Sequence, residues 1–202
     1  PGDEFWTFCL EKNEYFYDNH SYDVTLNDAA MSGGTGGSSG GSDPLDAKSA
    51  YLYHSFANGD LQSYVDSHIS DMSPDENYNG YASDRKQFLG GLQDIIWYIE
   101  DEDSRTEVDA RGDFNPADSE NYSDDTISLR EYIYRAALLA GWNDIGDVRV
   151  MTLTSNNGGT QNQDQMVLIP LSPPPPVPAP GALLLGGIGF AAVRVIRRRR
   201  NG

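Results

Sequence analysis

The sequence predicts an α+β fold in which N- and C-terminal β-strands form a sheet or sandwich around an inserted helical subdomain. Three observations favour this class. Aromatic and alternating segments, typical of short strands, lie near the N-terminus and again between residues 148 and 169. Apolar residues recur at helical spacing in the middle of the chain. Because strands flank the helices in this order, we expect the first and last strands to share one sheet.

Composition divides the chain of 202 residues into three parts. Residues 1–171 have the length and apolar content of one folded domain. Residues 172–180 are rich in proline and predict a stiff linker. Residues 181–202 predict a short hydrophobic helix with an arginine-rich end, so the chain has one folded domain and a tail.

Three short strands are predicted before the first helix, over residues 4–10, 15–17 and 22–26. The glycine- and serine-rich run 32–42 contains no side chain that builds a core and predicts a flexible loop. This run has no lysine at the spacing of a phosphate-binding loop. We therefore expect it to connect elements and not to bind nucleotide.

Two helices are predicted in the middle of the chain. The first begins at Asp43-Pro44, continues to Ala57 and is closed by Asn58-Gly59. The second runs from Ser83-Asp84 to about residue 102, with apolar residues at i, i+3 and i+4. Gly90-Gly91 weakens this helix locally and indicates a place where another backbone approaches closely.

A third helix begins at Ser128, which forms a capping box with Glu131, and it ends at Gly141. Strands are then predicted over 148–154 and 165–169, with a polar connection rich in asparagine and glycine between them. These strands complete the sheet that the N-terminal strands are expected to begin.

The C-terminal tail carries an uncharged run, 181–193, followed by arginine at 194 and at 197–200. The run is shorter than the roughly 18–20 residues that a transmembrane helix needs. The apolar segment becomes longer if it continues past Arg194, whose side chain would then snorkel so that its charged group reaches the membrane interface. The arginine cluster predicts that the C-terminus stays cytoplasmic and that the preceding domain lies outside.

The order of these segments resembles the PEP-CTERM sorting signal of Gram-negative bacteria, whose pattern is Val-Pro-Glu-Pro, a short hydrophobic helix and terminal arginines. Ala179 stands where the family has Glu. The resemblance implies export, transient anchoring of the C-terminal helix in the inner membrane and processing by an exosortase-type enzyme. The protein would then reside in the cell envelope, at the outer surface or in an exopolysaccharide matrix of a biofilm. The alternative to a sorting signal is that the tail is a plain membrane anchor with a single span. The matching residues are Val177, Pro178, Pro180, Arg197, Arg198, Arg199 and Arg200.

Charge and cysteine content restrict the function further. The formal net charge is −17, and the arginine-rich tail leaves the domain still more acidic. Nucleic acid is therefore not an expected partner, because its phosphates would be repelled. The single cysteine, Cys9, cannot form an internal disulfide, and a lone cysteine in an exported protein needs a specific reason.

Two short segments supply that reason. Phe8-Cys9-Leu10-Glu11 and Leu92-Gln93-Asp94-Ile95-Ile96-Trp97 resemble the two motifs of the thioester domain of bacterial surface adhesins. In that family the cysteine of the first motif and the glutamine of the second form an internal thioester. The resemblance implies a Cys9–Gln93 cross-link that attaches covalently to a surface amine or hydroxyl on a protein or polysaccharide. Such attachment is a single turnover, so we expect no enzyme activity and no cofactor.

The residues also permit plainer interpretations. A cysteine between Phe8 and Leu10 is often a small buried apolar residue, and a glutamine on an amphipathic helix usually lies at the core boundary. The alternative function is therefore a non-covalent structural or carbohydrate-binding matrix protein of the same fold.

No metal site is expected from the sequence. His20, His54 and His68 are scattered without metal-ligand spacing. The acidic segment 100–125 has carboxylates that calcium would accept as ligands, but it lacks the Asp-x-Asn-x-Asn-Gly loop. We expect a solvated acidic loop with little to bury there.

Overall fold

The sheet of the domain is antiparallel, and it joins strands from the two ends of the sequence. A computed structural model describes residues 6–12, 14–15, 17, 20–31, 42–72, 77–110, 114–116, 127–155 and 161–169, all within the unit Pro1–Ile169. The elements are β1 (Tyr22–Asn27), β2 (Ala29–Ala30), β3 (Asp43–Pro44), α1 (Ala47–Asn58), α2 (Asp60–Asp66), α3 (Arg85–Ile99), α4 (Arg105–Asp109), α5 (Leu129–Ala140), β4 (Val148–Ser155) and β5 (Gln161–Leu168). The predicted linker and tail lie outside the described residues.

The three-stranded sheet has the order β1-β4-β5. Tyr22 pairs with Ser155 at one end of β1, and Val148 pairs with Leu168 at the far end of β4. This confirms the α+β class and the prediction that strands before and after the helices share a sheet. Among the described residues, β1, β4 and β5 form one sheet and no sandwich, and β2 and β3 form a separate two-stranded ribbon.

Three strand predictions differ from the structure. Tyr15 and Tyr17 do not lie in a strand, and within 6–10 only Cys9 forms a ladder pair, with Gln165. β5 begins at Gln161 and not at 165, because its polar first half is buried and paired with β4. Alternation of apolar residues cannot reveal a strand whose buried side chains are polar.

The helices follow their predicted signals more closely. α1 begins after its N-cap, Asp46, because Asp43-Pro44 pairs with β2 and forms no helical turn. α1 ends at Gly59, which adopts φ 83°. The capping box of Ser128 and Glu131 is present at the start of α5, and Gly141 closes that helix at φ 62°, both as predicted.

α3 ends at Ile99, three residues before its predicted end. The N–H groups of Glu102 and Asp103 both turn back to the carbonyl of Trp97, at 2.8 and 3.0 Å, and so stop the helix. The segment that follows is more ordered than an acidic loop, because α4 forms there and Val108 and Phe114 are buried. The prediction of a solvated segment over 100–125 is wrong for these residues.

α3 packs against α5 beside Gly91. A methyl group added at Gly91 would lie 3.5–3.6 Å from side-chain atoms of Leu129, Arg130 and Ile133, so the neighbouring helix is close. Arg130 Nε and Nη2 also donate to Asp94 Oδ2 at 3.0 and 2.7 Å, in a buried ion pair between the two helices. These contacts fix the rotation of α3 about its axis and its position along α5, and α3 carries Gln93.

Candidate functional site

The segment Thr7–Leu10 is held against β5 as a short extra strand. Met166 N–H donates to the Phe8 carbonyl and Leu10 N–H donates to the Asp164 carbonyl, both at 3.0 Å. Cys9 lies opposite Gln165 between these two bonds. In an antiparallel ladder such a residue directs its own N–H and C=O away from the paired strand. The main-chain groups of Cys9 therefore face outward from the sheet and need other partners.

Gln93 provides both partners with its side-chain amide. Cys9 N–H donates to Gln93 Oε1 at 3.0 Å, and Gln93 Nε2 donates to the Cys9 carbonyl at 2.7 Å. The carboxamide thus takes the position that the peptide group of a neighbouring strand would occupy. Two residues separated by 84 positions in the sequence are brought into direct contact. The expected proximity is present, whereas the thioester itself stays a prediction.

Apolar packing holds the cysteine side of this contact in place. Phe8 and Leu10 are buried, so Cys9 lies on the opposite side of the segment from the core. The Phe8 ring meets the edges of Tyr53 and Phe56 at centroid distances of 6.2 and 5.2 Å. The Tyr53 hydroxyl donates to the Trp6 carbonyl at 2.7 Å. The segment is therefore anchored both by its side chains and by its main chain.

The glutamine side is equally restricted. Leu92, Ile95 and Ile96 are fully buried on α3, and Asp94 is held by Arg130. Gln93 is half-buried between these core positions and the Cys9 segment. A side chain with both amide atoms bonded and both neighbours fixed has little conformational freedom left. The Gln93 carboxamide is therefore held in one orientation.

The thiol of Cys9 is free and half-buried. Burial raises its pKa to about 11, from an ordinary value of 9.0. At neutral pH the sulfur is therefore almost entirely a thiol and not a thiolate. Since the thiolate is the nucleophile, burial lowers the reactivity of this sulfur at neutral pH.

Beyond Cys9 the chain continues along α3 toward its C-terminal end. Lys12 N–H donates to Glu102 Oε2 at 3.1 Å, and the Lys12 ammonium pairs with Asp103 and Glu107. The same turn carries the two N–H groups that bind the Trp97 carbonyl. The N-terminal segment thus contacts α3 at Gln93 and, further along, the turn at its end.

The other candidates from the sequence lie elsewhere. His20 contacts the rings of Tyr17 and Tyr22, His54 lies beside Trp142, and His68 lies beside Tyr132. Within the described part of the chain, no group of three or more His, Cys, Asp or Glu residues is arranged to hold a metal ion.

Two buried carboxyl groups were not anticipated from the sequence. Burial raises the pKa of Glu100 to about 8 and that of Asp164 to about 6. Asp164 Oδ2 accepts from Met31 N–H at 2.6 Å, and the main-chain carbonyl of the same residue binds the Cys9 segment at Leu10. Nothing in the composition of an acidic chain distinguishes a buried carboxyl from a solvated one.

The sorting residues of the tail lie outside the described residues. No described helix combines the length and the apolar character that crossing a membrane requires.

Comparison with known proteins gives no match: no family model, no curated protein and no solved structure is similar to this chain.

Proposed function

We propose that the chain is an exported surface or matrix protein whose domain forms an internal thioester between Cys9 and Gln93. The observation that carries the proposal is the paired hydrogen bond of the Gln93 carboxamide to the main chain of Cys9. These bonds bring the Gln93 carboxamide against the residue that carries the thiol, and intramolecular reactions between well-aligned groups reach effective molarities of about 10⁵ M or more. The role of the product is covalent adhesion to a partner surface.

Formation of the thioester requires no external reagent. The Cys9 sulfur attacks Cδ of Gln93, the Cδ–Nε2 bond breaks, and the thiol proton leaves with that nitrogen as ammonia. A primary amine or a hydroxyl of the partner later attacks the same carbon. The Cδ–Sγ bond then breaks, the sulfur takes up the proton of the nucleophile, and Gln93 is joined to the partner by an amide or an ester.

The hydrogen bonds of the resting site suit this first step. Negative charge develops on Oε1 during the attack, and Cys9 N–H already donates to that atom at 3.0 Å. A donor about 2.7–3.1 Å from the developing oxyanion is the geometry that stabilises acyl-transfer intermediates. The Cys9 carbonyl accepts from Nε2 at 2.7 Å and so lies where the departing ammonia forms.

Intact-mass measurement of the purified domain tests this function. We expect a mass lower than the sequence requires by one ammonia, and treatment with methylamine should add one methylamine to that species. A domain with the full sequence mass that takes up no methylamine would contradict the thioester.

One observation favours the alternative, a non-covalent structural or carbohydrate-binding matrix protein. Gln93 satisfies both main-chain groups of Cys9 as an ordinary amide, so the contact is also a complete structural link between the N-terminal segment and α3. In that case the domain keeps its full mass, and polysaccharide binding is reversible by dilution.

The location follows from the tail. We propose that residues 177–202 direct the protein to the cell envelope, with the C-terminal helix as a transient inner-membrane anchor and an exosortase-type enzyme as processing partner. The order of proline motif, apolar run and arginine cluster supports this address.

A further inference from the structure

The indole of Trp97 carries a polar group that the resting site does not use. Its Nε1 atom is buried, yet it has no hydrogen-bond partner. A buried donor without an acceptor costs free energy. Trp6 and Trp142 do not share this property. The unpaired Nε1–H of Trp97 is explained if the site has a second state in which a hydrogen-bond acceptor lies within its reach.

The position of Trp97 on α3 brings it to the side of the helix that carries Gln93. It lies four residues after Gln93 on α3, which is one helical turn and the same face. Side chains of a helix lean toward its N-terminus, so a residue at this spacing covers the turn that carries Gln93. The Cys9 segment contacts α3 on both sides of this position, at Gln93 and at the turn of Glu102. Trp97 therefore lies on α3 between the two places where the N-terminal segment contacts this part of the chain.

We propose that Trp97 Nε1–H is the second hydrogen-bond donor to the acyl oxygen of Gln93 when the thioester is formed and opened, with Cys9 N–H as the first. In the resting amide, Oε1 accepts from Cys9 N–H at 3.0 Å and the indole is not bonded. When a nucleophile adds to Cδ, that carbon becomes tetrahedral and the oxygen moves out of the amide plane with a negative charge. A donor held nearby in a water-poor site stabilises this charge and needs no reorganisation.

This inference rests on the proposed thioester and adds a catalytic residue to it. For opening by a primary amine, the nitrogen bonds to Cδ, the Cδ–Sγ electron pair passes to sulfur, and one amine proton ends on the Cys9 thiol. The charge on oxygen rises and falls within this step, so the indole acts on the rate and not on the stoichiometry.

The test is the rate at which methylamine opens the thioester, followed by intact mass, in wild type and in Trp97→Phe. Phenylalanine keeps an aromatic ring at this position but removes the N–H. Loss of one oxyanion donor typically lowers a rate on the order of 10²-fold, and we expect a fall of that order. The unfolding midpoint should stay close to that of wild type, because an unpartnered buried donor is lost. Trp142→Phe is the matched control and should react at the wild-type rate.

A second measurement does not depend on a variant at position 97. The indole N–H resonance of Trp97 should move downfield and exchange more slowly with solvent in the thioester form than in Cys9→Ala, which cannot form the bond. Unchanged rates in Trp97→Phe together with an unchanged resonance would overturn the role of Trp97 and leave the thioester standing. A wild type without any thioester would overturn both.

Discussion

At the scale of single residues, the double hydrogen bond between Gln93 and Cys9 makes the two partners unequal as targets for substitution. The bonds use the side chain of Gln93 but only the main chain of Cys9. Removing the cysteine side chain therefore leaves the contact intact, whereas removing the glutamine side chain exposes two main-chain groups of a partly buried strand.

Cys9→Ala should accordingly abolish covalent capture of amines and leave the domain folded, with a loss of roughly 1 kcal/mol of stability or less from the missing sulfur. Labelling with a fluorescent primary amine, followed by denaturation, checks the first part. Chemical denaturation checks the second. Label that survives denaturation in Cys9→Ala at the wild-type level would contradict the assignment of the nucleophile.

Gln93 variants should be unreactive and also less stable. Gln93→Ala leaves the N–H and the carbonyl of Cys9 without their partners, at a cost of about 1–3 kcal/mol. Gln93→Glu places a carboxylate oxygen where Nε2 donates to the Cys9 carbonyl at 2.7 Å, so it should be no milder than alanine at neutral pH. Denaturation midpoints of the two variants against Cys9→Ala test this order; equal stability of all three would show that the Gln93 contact contributes nothing to folding.

The raised pKa of the Cys9 thiol, about 11, gives the reaction a defined pH dependence. Because the thiolate is the attacking species, its fraction grows roughly tenfold per pH unit below that value. Thioester formation after refolding should accelerate with pH across the range in which the domain stays folded. Ammonia loss followed by mass at several pH values measures this, and a rate that is constant from neutral to alkaline pH would exclude a buried thiol as the nucleophile.

The buried carboxyl group of Glu100 makes the stability of the domain depend on pH. Its folded pKa is raised from 4.5 to about 8, so the folded state holds this proton more tightly than the unfolded state. Its contribution to stability is complete below about pH 4.5 and is lost as the pH rises toward 8. The pKa of Asp164 is also raised, from 3.8 to about 6. Its contribution to stability is therefore also lost as the pH rises, but in the lower range between these two values.

Glu100→Gln should therefore flatten the decline of stability between pH 6 and 8, while Asp164→Asn should change the slope only below that range. Unfolding free energies measured across both ranges separate the two carboxyls. A wild-type stability that rises between pH 6 and 8, or a Glu100→Gln variant with the wild-type slope, would contradict this assignment.

At the scale of elements, the sequence predicts what depends on local signals and misses what depends on pairing. The capping box at Ser128 and the glycine closures at Gly59 and Gly141 are local, and they appear in the structure as predicted. The start of β5 and the pairing of Asp43-Pro44 with β2 depend on distant partners, which no periodicity encodes. Buried polar residues such as Asp164 are invisible to hydrophobic patterning for the same reason.

The glycine pair in α3 illustrates the limit of one such local signal. The predicted close approach of another backbone is absent at both glycines: an added methyl group at Gly91 would meet only side-chain atoms of α5, and Gly90 faces open space. An added methyl group at either position meets at most ordinary van der Waals contact. Gly90→Ala and Gly91→Ala should each raise stability by about 0.5–1 kcal/mol, because glycine weakens a helix interior relative to alanine. Denaturation of the two variants checks this, and a strong loss in Gly91→Ala would mean that the two helices pack more tightly than the structure indicates.

At the scale of the whole molecule, the candidate site was predictable because it rests on two motifs, and its geometry was not. The motifs indicate Cys9 and Gln93 but do not predict that the carboxamide replaces a neighbouring strand, since that depends on the placement of Cys9 against β5. The buried, unpaired Nε1 atom of Trp97 likewise became visible only in the folded arrangement.

The tail carries a prediction of its own at this scale. Replacing the arginines at 197–200 by serine should disturb membrane orientation or processing, because positive charge sets which side of the membrane the end occupies. Fractionation and the apparent mass of the exported protein measure this. Unchanged location and size in that variant would remove the support for a sorting signal.

The central claim, a covalent bond between two named side chains, is tested most directly by mapping it. The folded domain is treated with methylamine, digested and analysed by tandem mass spectrometry. We expect methylamine on the side chain of Gln93, and we expect the same peptide to be unmodified in Cys9→Ala. The amount of free Cys9 thiol should rise in parallel with the methylamine label. An unmodified Gln93 in the treated wild type, or methylamine on Gln93 in Cys9→Ala, would contradict it.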